Sequence, residues 1–171
     1  MNKQSKSART KSRAVVIERT YQARVEELWA LWTTKEGFES WWAPDGCRSE
    51  VHAIEARVGG TIHYNMIAVG PTQIADMKLL GLAPSHAVHA CFTEIKPNRR
   101  LTITHLVEVI PGEKPYECTI AVDFVPAGES VRMVVMIQPM PDEEFTRRSI
   151  KGFIEQLRKL EGRFLEGRFA D

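Results

Sequence analysis

Five histidines are the side chains of this chain best suited to metal binding or proton transfer. The closest pair, His86 and His89, falls where a loop is predicted to lead into a strand, and a zinc site would need a third and a fourth ligand from elsewhere. Two histidines without cysteine or carboxylate partners rarely hold a metal. We therefore expect His52, His63, His86, His89 and His105 to be surface or hydrogen-bonded residues, with no metal and no other cofactor.

The serine and cysteine side chains, and the glycines at 59 and 60, also lack a catalytic motif. The serine and cysteine residues have no nucleophile elbow around them, and Cys47 follows Asp45-Gly46 without a known signature. Gly59-Gly60 lacks the Gly-Lys-Ser of a phosphate loop and precedes a strand, so we interpret it as a hairpin turn. The sequence therefore predicts no catalytic residue by motif.

Aromatic residues give the strongest signal for a binding site. All four tryptophans lie between Ile17 and Pro44, where a strand is followed by an amphipathic helix and a second, short helix. Rings gathered where one sheet begins line either an apolar core or a cavity, and their spacing allows both. Trp32, Trp41 and Trp42 are therefore candidate ligand contacts and equally candidate core residues.

Hydrophobic periodicity predicts the elements that would hold such a site. Apolar residues recur at helical spacing after the first strand and again near the carboxyl terminus, and they alternate with polar residues along the segments between. The predicted strands are 15–21, 51–57, 62–66, 87–95, 101–109, 118–124 and 131–137. The predicted helices are 25–32, 35–42 and 142–166.

A run of strands followed by a long helix is typical of an α+β fold with an antiparallel sheet. The long helix carries an apolar stripe that includes Phe153 and Leu157, and the sheet is the only large apolar surface available to it. A strongly curved sheet of six to seven strands wrapped around this helix would leave space between the two. Gly152 lowers helix propensity by about 1 kcal/mol relative to alanine, so we expect a backbone or a ligand to come close to it.

The segment from Gly70 to Ser85 interrupts the strands with prolines and glycines. A connection of this length is usually either functional or disordered. Its apolar residues predict a helical turn that docks on the domain. They are Ile74, Met77, Leu79, Leu80 and Leu82.

Length and composition predict one globular domain, since 171 residues with 43% hydrophobic residues are enough for one core. Residues 1–13 hold five basic residues and no acidic one, which leaves 18 basic against 22 acidic residues in 14–171. We predict that 1–13 is a disordered basic tail, with a nucleic-acid arm as the alternative. Three cysteines without Cys-x-x-Cys spacing, and no secretory or membrane-spanning run, favour a cytoplasmic protein.

Several short motifs follow one another in a recognisable order. RTYQA at 19–23, Leu28-Trp29 and WWAP at 41–44 are followed by RVGG at 57–60 with Met66. FTEIKPNRRL at 92–101 with Thr104, and GFIEQL at 152–157, complete the set. In this order they resemble the START-like (SRPBCC, helix-grip) superfamily, in the branch of the activator of the heat-shock chaperone ATPase.

The resemblance implies a START-like domain over 14–171 with a pocket between the sheet and the final helix. Across the superfamily such pockets hold lipids, sterols, polyketides and plant hormones. Two features depart from the family pattern. Gly70 to Ser85 is longer than the usual connection, and Phe153 replaces the tryptophan expected after Gly152.

We expect a non-catalytic protein that binds a small, mostly apolar molecule, with no nucleic-acid and no membrane partner. The resemblance leaves open a co-chaperone-like interaction protein with a chaperone partner, although this chain shows no second domain for clamping one. An enzyme of the cyclase or hydrolase type, in which His105 moves a proton, is a further alternative. A homodimer also stays open.

Strand parity and the helix stripe select the candidate ligand contacts, because alternate residues of a strand face the same side of a sheet. The candidates are Trp32, Trp41, Trp42, Tyr64, Met66, Phe92, Ile103, His105, Val122, Met133, Phe153 and Leu157.

Overall fold

The computed structural model describes residues 13–108, 112 and 114–166. The predicted basic tail therefore lies, except for Arg13, outside the described residues. In chain order the elements are β1 (Val15–Tyr21), α1 (Val25–Thr33), α2 (Lys35–Glu39), β2 (Cys47–Ile54), β3 (Thr61–Ala68), α3 (Pro71–Leu79), β4 (Ser85–Lys96), β5 (Arg100–Val107), β6 (Tyr116–Ala127), β7 (Ser130–Ile137) and α4 (Glu143–Glu166).

The described strands form one antiparallel sheet in the order β1-β7-β6-β5-β4-β3-β2. Register shifts between Val51 and Ala53 and between Phe92 and Glu94 bend two of the strand pairs, as bulges do. The concave face of this curved sheet packs against α4, where Phe153, Leu157 and Leu160 are buried. The predicted α+β, helix-grip fold is confirmed.

The two ends of the sheet differ in how they are filled. At the core end, where β1 and β6 finish, helices α1 and α2 bring their aromatic rings onto the sheet. The ring of Trp29 lies 5.6 Å from that of Phe124, and Trp32 contacts the same ring at 6.5 Å. At the cavity end, β3 and β5 finish while β4 and β6 begin, and Trp42 and Phe153 border a space that stays open there.

The predicted boundaries were wrong by three or four residues at β2, α2 and β6, where β6 runs on to Ala127. Strand β2 begins at Cys47, four residues before the predicted start, because its inward positions there are Cys47 and Ser49, which give a weak hydrophobic signal. Helix α2 ends at Glu39, before the predicted Trp42, because the chain turns at Ser40, whose hydroxyl donates to the carbonyl of Gly37.

Helix α3 replaces the predicted docked helical turn with two full turns of helix. Its apolar residues do not dock, since none of its nine residues is buried and the Leu79 side chain is 86% exposed. The helix is held at its start instead, where the amides of Val69 and Gly70 donate to the carbonyl of Gly46 at 2.8 and 2.9 Å. Its exposed Ile74 and Leu79 therefore belong to the surface and not to the core.

Among the described residues, none of the four helices combines the length and the apolar composition that crossing a membrane requires.

Candidate ligand cavity

A cavity of about 350 Å³ lies between the concave face of the sheet and the first half of α4. It occupies the cavity end of the sheet, beyond the aromatic core. Most of the described residues that line it are apolar. They are Trp42, Pro44, Tyr64, Met66, His86, Ala87, Val88, His105, Leu106, Val107, Cys118, Ile120, Met140, Arg148, Ser149, Gly152, Phe153 and Gln156.

His105 on β5 is the most buried of the histidines that line the cavity, with 8% of the residue exposed. Its ring lies parallel to that of Trp42, within 1° and at a centroid distance of 5.7 Å, which fixes its orientation. Because burial removes water from the charged form, the pKa of His105 is lowered to about 4. The imidazole is therefore neutral at neutral pH.

Tyr64 and Trp42 form a hydrogen-bonded pair beside this ring. The Trp42 Nε1–H donates to the Tyr64 hydroxyl oxygen at 2.9 Å. Burial raises the pKa of Tyr64, and the hydrogen bond from Trp42 opposes this only in part. The hydroxyl therefore stays protonated and keeps a hydrogen of its own to donate.

The opposite wall of the cavity is formed by one face of α4. Gly152, Phe153 and Gln156 fall on this face because residues four apart are neighbours on a helix. An added Cβ at Gly152 would lie 3.7 Å from the Pro44 Cβ, which is ordinary contact. The expected close approach at Gly152 is therefore wrong for backbone, and the glycine leaves room at the wall of the cavity.

The mouth of the cavity is polar. Arg148 and Ser149, in the second turn of α4, line it together with Met140. The Arg148 guanidinium is already paired, since its Nε lies 2.9 Å from Glu144 Oε1. Glu144 also pairs with Arg147 Nη1 at 2.7 Å, so two arginines share one carboxylate there.

Five of the twelve predicted contacts line this cavity, and seven do not. Those at the cavity are Trp42, Tyr64, Met66, His105 and Phe153. The other seven are buried in packed core: Trp32, Trp41, Phe92, Ile103, Val122, Met133 and Leu157. Parity selects the correct face of each strand, but it does not say which end of that face is hollow. Ligand contact by any of the twelve remains a prediction.

Sequence reasoning missed several residues at the cavity, above all Gln156, Cys118 and Ile120. Gln156 could have been found, because it lies one helical turn beyond Gly152 on the same face. Cys118 and Ile120 share a strand face with the predicted Val122, so the same parity reaches them.

The histidines do not assemble a metal site. Within the described residues, no group of three or more histidine, cysteine, aspartate or glutamate side chains could hold an ion. His63 and His89 meet across β3 and β4 with ring centroids 4.4 Å apart. His86 lies on the other face, lines the cavity and has its buried Nδ1 without a partner in the described chain. The expectation of a surface or hydrogen-bonded residue is wrong for His86 and for His105.

Replacing Tyr64 with phenylalanine is expected to lower the free energy of unfolding by about 1–3 kcal/mol. The change leaves the buried Trp42 Nε1–H without its acceptor. Chemical denaturation of Tyr64→Phe, Trp42→Phe and the double variant measures it. Because the double variant removes both partners, its loss should be smaller than the sum of the single losses, and additive losses would contradict the pairing.

A curved antiparallel sheet closed over a cavity by its C-terminal helix defines the START-like, helix-grip class of proteins. A family model described as "Activator of Hsp90 ATPase homolog 1-like protein" matches residues 22–164. The chain belongs to this family, and the resemblance found in its motifs is confirmed.

Solved structures from several organisms share the fold. A protein from Chromobacterium violaceum is 16% identical with a TM-score of 0.71, over 90% of this chain and 98% of its own. The AHSA1 protein from Silicibacter pomeroyi is 19% identical with a TM-score of 0.70, over 90% and 99%. A protein from Arthrobacter aurescens is 20% identical with a TM-score of 0.70, over 90% and 86%. No curated protein matches this chain.

Proposed function

We propose that this protein binds a small, mostly apolar molecule in the cavity between the sheet and α4. The observation that carries the proposal is the cavity itself, whose volume of about 350 Å³ falls within the range of ligand pockets. Its walls are mainly apolar, with a few polar groups, as expected for a site that gains affinity from burial and orientation from hydrogen bonds.

Binding without catalysis fits the polar groups better than an enzyme does. The described lining residues include no aspartate and no glutamate, so His105 would have to act without a carboxylate partner. With its pKa lowered to about 4, His105 is a weak base at neutral pH. A cyclase or hydrolase would need a convergent acid and base, which the described walls do not supply.

A second candidate function is a co-chaperone-like interaction protein. It is favoured by the apolar side chains exposed on α3 and at its C-cap, Ile74, Leu79 and Leu80, and by the family description, which refers to an activator of the Hsp90 ATPase. Exposed apolar side chains grouped on one element often mark a protein-binding surface. A chaperone partner and a homodimer both remain predictions.

We expect the Gly152→Leu variant to lose binding of N-phenylnaphthylamine, an uncharged fluorescent probe, by at least about tenfold. The new side chain would enter the cavity from α4, since Gly152 lines it. It also improves helix propensity by roughly 1 kcal/mol, so a loss of binding would not come from a weaker helix. Fluorescence titration measures affinity and stoichiometry, and circular dichroism measures helicity.

Two matched variants serve as controls. Gly162→Leu makes the same change later in the same helix, where an added Cβ meets nothing within 4 Å, and it should bind the probe as the wild type does. Gly152→Ala adds only the Cβ that fits beside Pro44 and should keep most of the affinity. If the wild type does not bind the probe, or if Gly152→Leu binds it equally well, the proposed ligand binding in this cavity is contradicted. The co-chaperone-like interaction protein then becomes the favoured function.

A further inference from the structure

Besides the half-buried His86, two polar side chains at the cavity are more than nine-tenths buried and have no partner within the described protein. His105 is 8% exposed and Gln156 is 7% exposed, yet neither side chain forms a hydrogen bond with another described residue. The side-chain nitrogen and oxygen atoms of these two residues are not among the fully buried atoms that lack a partner. Both residues line the cavity, so a molecule inside it can reach those atoms. Because buried polar groups nearly always have a partner, the cavity is where theirs must come from.

The two groups come from opposite walls. His105 lies on β5 in the floor formed by the sheet, and Gln156 lies on α4, which covers that floor. The parallel Trp42 ring holds the imidazole in its orientation, and Tyr64 adds a hydroxyl hydrogen nearby. A molecule between the walls would therefore meet hydrogen-bond donors and acceptors on both sides.

None of these interior groups carries a charge. The amide and the hydroxyl are neutral, and burial keeps the His105 imidazole neutral by lowering its pKa to about 4. Among the described lining residues the permanent charge is Arg148, at the mouth and paired with Glu144. Beside His105 and Gln156, away from Arg148, an ionised carboxylate or ammonium group would lose its water without gaining a counter-charge.

Water alone is a poor partner for this site. A water molecule could hydrogen-bond to either side chain. The cavity volume of about 350 Å³ exceeds what one or two such waters would fill, and most of the remaining wall is apolar and offers water no partner. An apolar molecule with one polar oxygen would cover the wall and satisfy the polar groups together.

We propose that the bound molecule is uncharged and carries a hydroxyl or carbonyl oxygen, as in an alcohol, phenol or ketone, which hydrogen-bonds to His105 and Gln156. This inference rests on the proposed function, because it assigns the ligand chemistry of the same cavity. It adds that the site selects by a neutral polar group and not by apolar area alone.

Three probes of similar size test the selection: naphthalene, β-naphthol and β-naphthoate. We expect the wild type to bind β-naphthol about tenfold more tightly than naphthalene, the effect of one or two neutral hydrogen bonds, and to bind ionised β-naphthoate more weakly than β-naphthol. Amide chemical shifts, which detect weak binding, follow each titration. In His105→Leu and Gln156→Leu, the preference for β-naphthol should shrink to about twofold or less, while naphthalene still binds.

His63→Leu is the matched control, since it makes the same change on the other face of the sheet. It should keep the wild-type preference. Equal binding of naphthalene and β-naphthol by the wild type would overturn this inference and leave the proposed function standing. Failure of both to bind would overturn the two together. Tightest binding of β-naphthoate, or a full preference retained in both leucine variants, would overturn the assignment of an uncharged group to His105 and Gln156.

Discussion

Leu157→Asp is expected to unfold the domain or to lower its free energy of unfolding by more than about 4 kcal/mol. Leu157 is 1% exposed and lies between α4 and the core of the sheet. The substitution removes an apolar side chain and leaves an unpaired carboxylate in its place. Since small domains are stable by only about 5–15 kcal/mol, circular dichroism and thermal denaturation should show a partly or fully unfolded variant.

Two further variants keep this prediction testable if Leu157→Asp does not fold at all. Leu157→Ala should fold and lose about 2–5 kcal/mol, the usual effect of emptying a core position. His63→Ala changes a half-buried side chain on the outer face of the sheet and should lose less than about 1 kcal/mol. Similar losses for His63→Ala and Leu157→Ala would show that α4 does not pack on the sheet through Leu157.

The second large effect expected is a loss of stability in mild acid that depends on His105. Its pKa is 6.5 in the unfolded chain and about 4 in the folded protein, because burial disfavours the charged ring. The unfolded state therefore binds a proton at a higher pH than the folded state does. The contribution of His105 is complete above pH 6.5 and falls as the pH decreases to about 4, where the loss is about 3 kcal/mol.

His105→Leu removes this titration, so its free energy of unfolding should fall much less between about pH 7 and about pH 4.5 than that of the wild type. Denaturant unfolding at several pH values measures the difference. His86 adds to the acid sensitivity of both proteins, because burial lowers its pKa as well. The carboxylate of Glu94 titrates mainly below this window, since its hydrogen bond from Arg100 lowers its pKa to about 2. Equal slopes in the two proteins would mean that His105 is hydrated in the folded state.

The fold was predictable because the hydrophobic periodicity within each segment indicates whether it forms a strand or a helix. The alternation from Cys118 to Phe124 fixes which face of β6 is buried, and the stripe that contains Phe153 and Leu157 fixes the face of α4. Helix α3 was less predictable, because Ile74, Met77 and Leu79 match a docked helix although none of them is buried. Whether such a helix docks depends on the surface opposite it, which local sequence does not encode.

The cavity could be predicted only in part, for a geometrical reason. Tyr64 and Phe92 point to the same concave face, yet Tyr64 reaches the cavity while Phe92 lies in packed core. The difference comes from sheet curvature and from where α1 and α2 place their rings, both of which involve residues far apart in the chain. The partner of Trp42 Nε1 likewise lies 22 residues away.

Helix α4 covers both the cavity end and the core end of the sheet, and its two halves make different contacts. Its second half, with Leu157 and Leu160, closes the core, whereas its first half carries Gly152 at the cavity wall and Phe153 against the tryptophan rings. Substitutions at Arg148, Ser149 or Gly152 change the cavity wall without removing a packed aromatic ring, so they add little of the free-energy penalty that core truncations carry. Related chains could therefore differ in the shape and polarity of this cavity through substitutions in the first half of α4, without losing the fold.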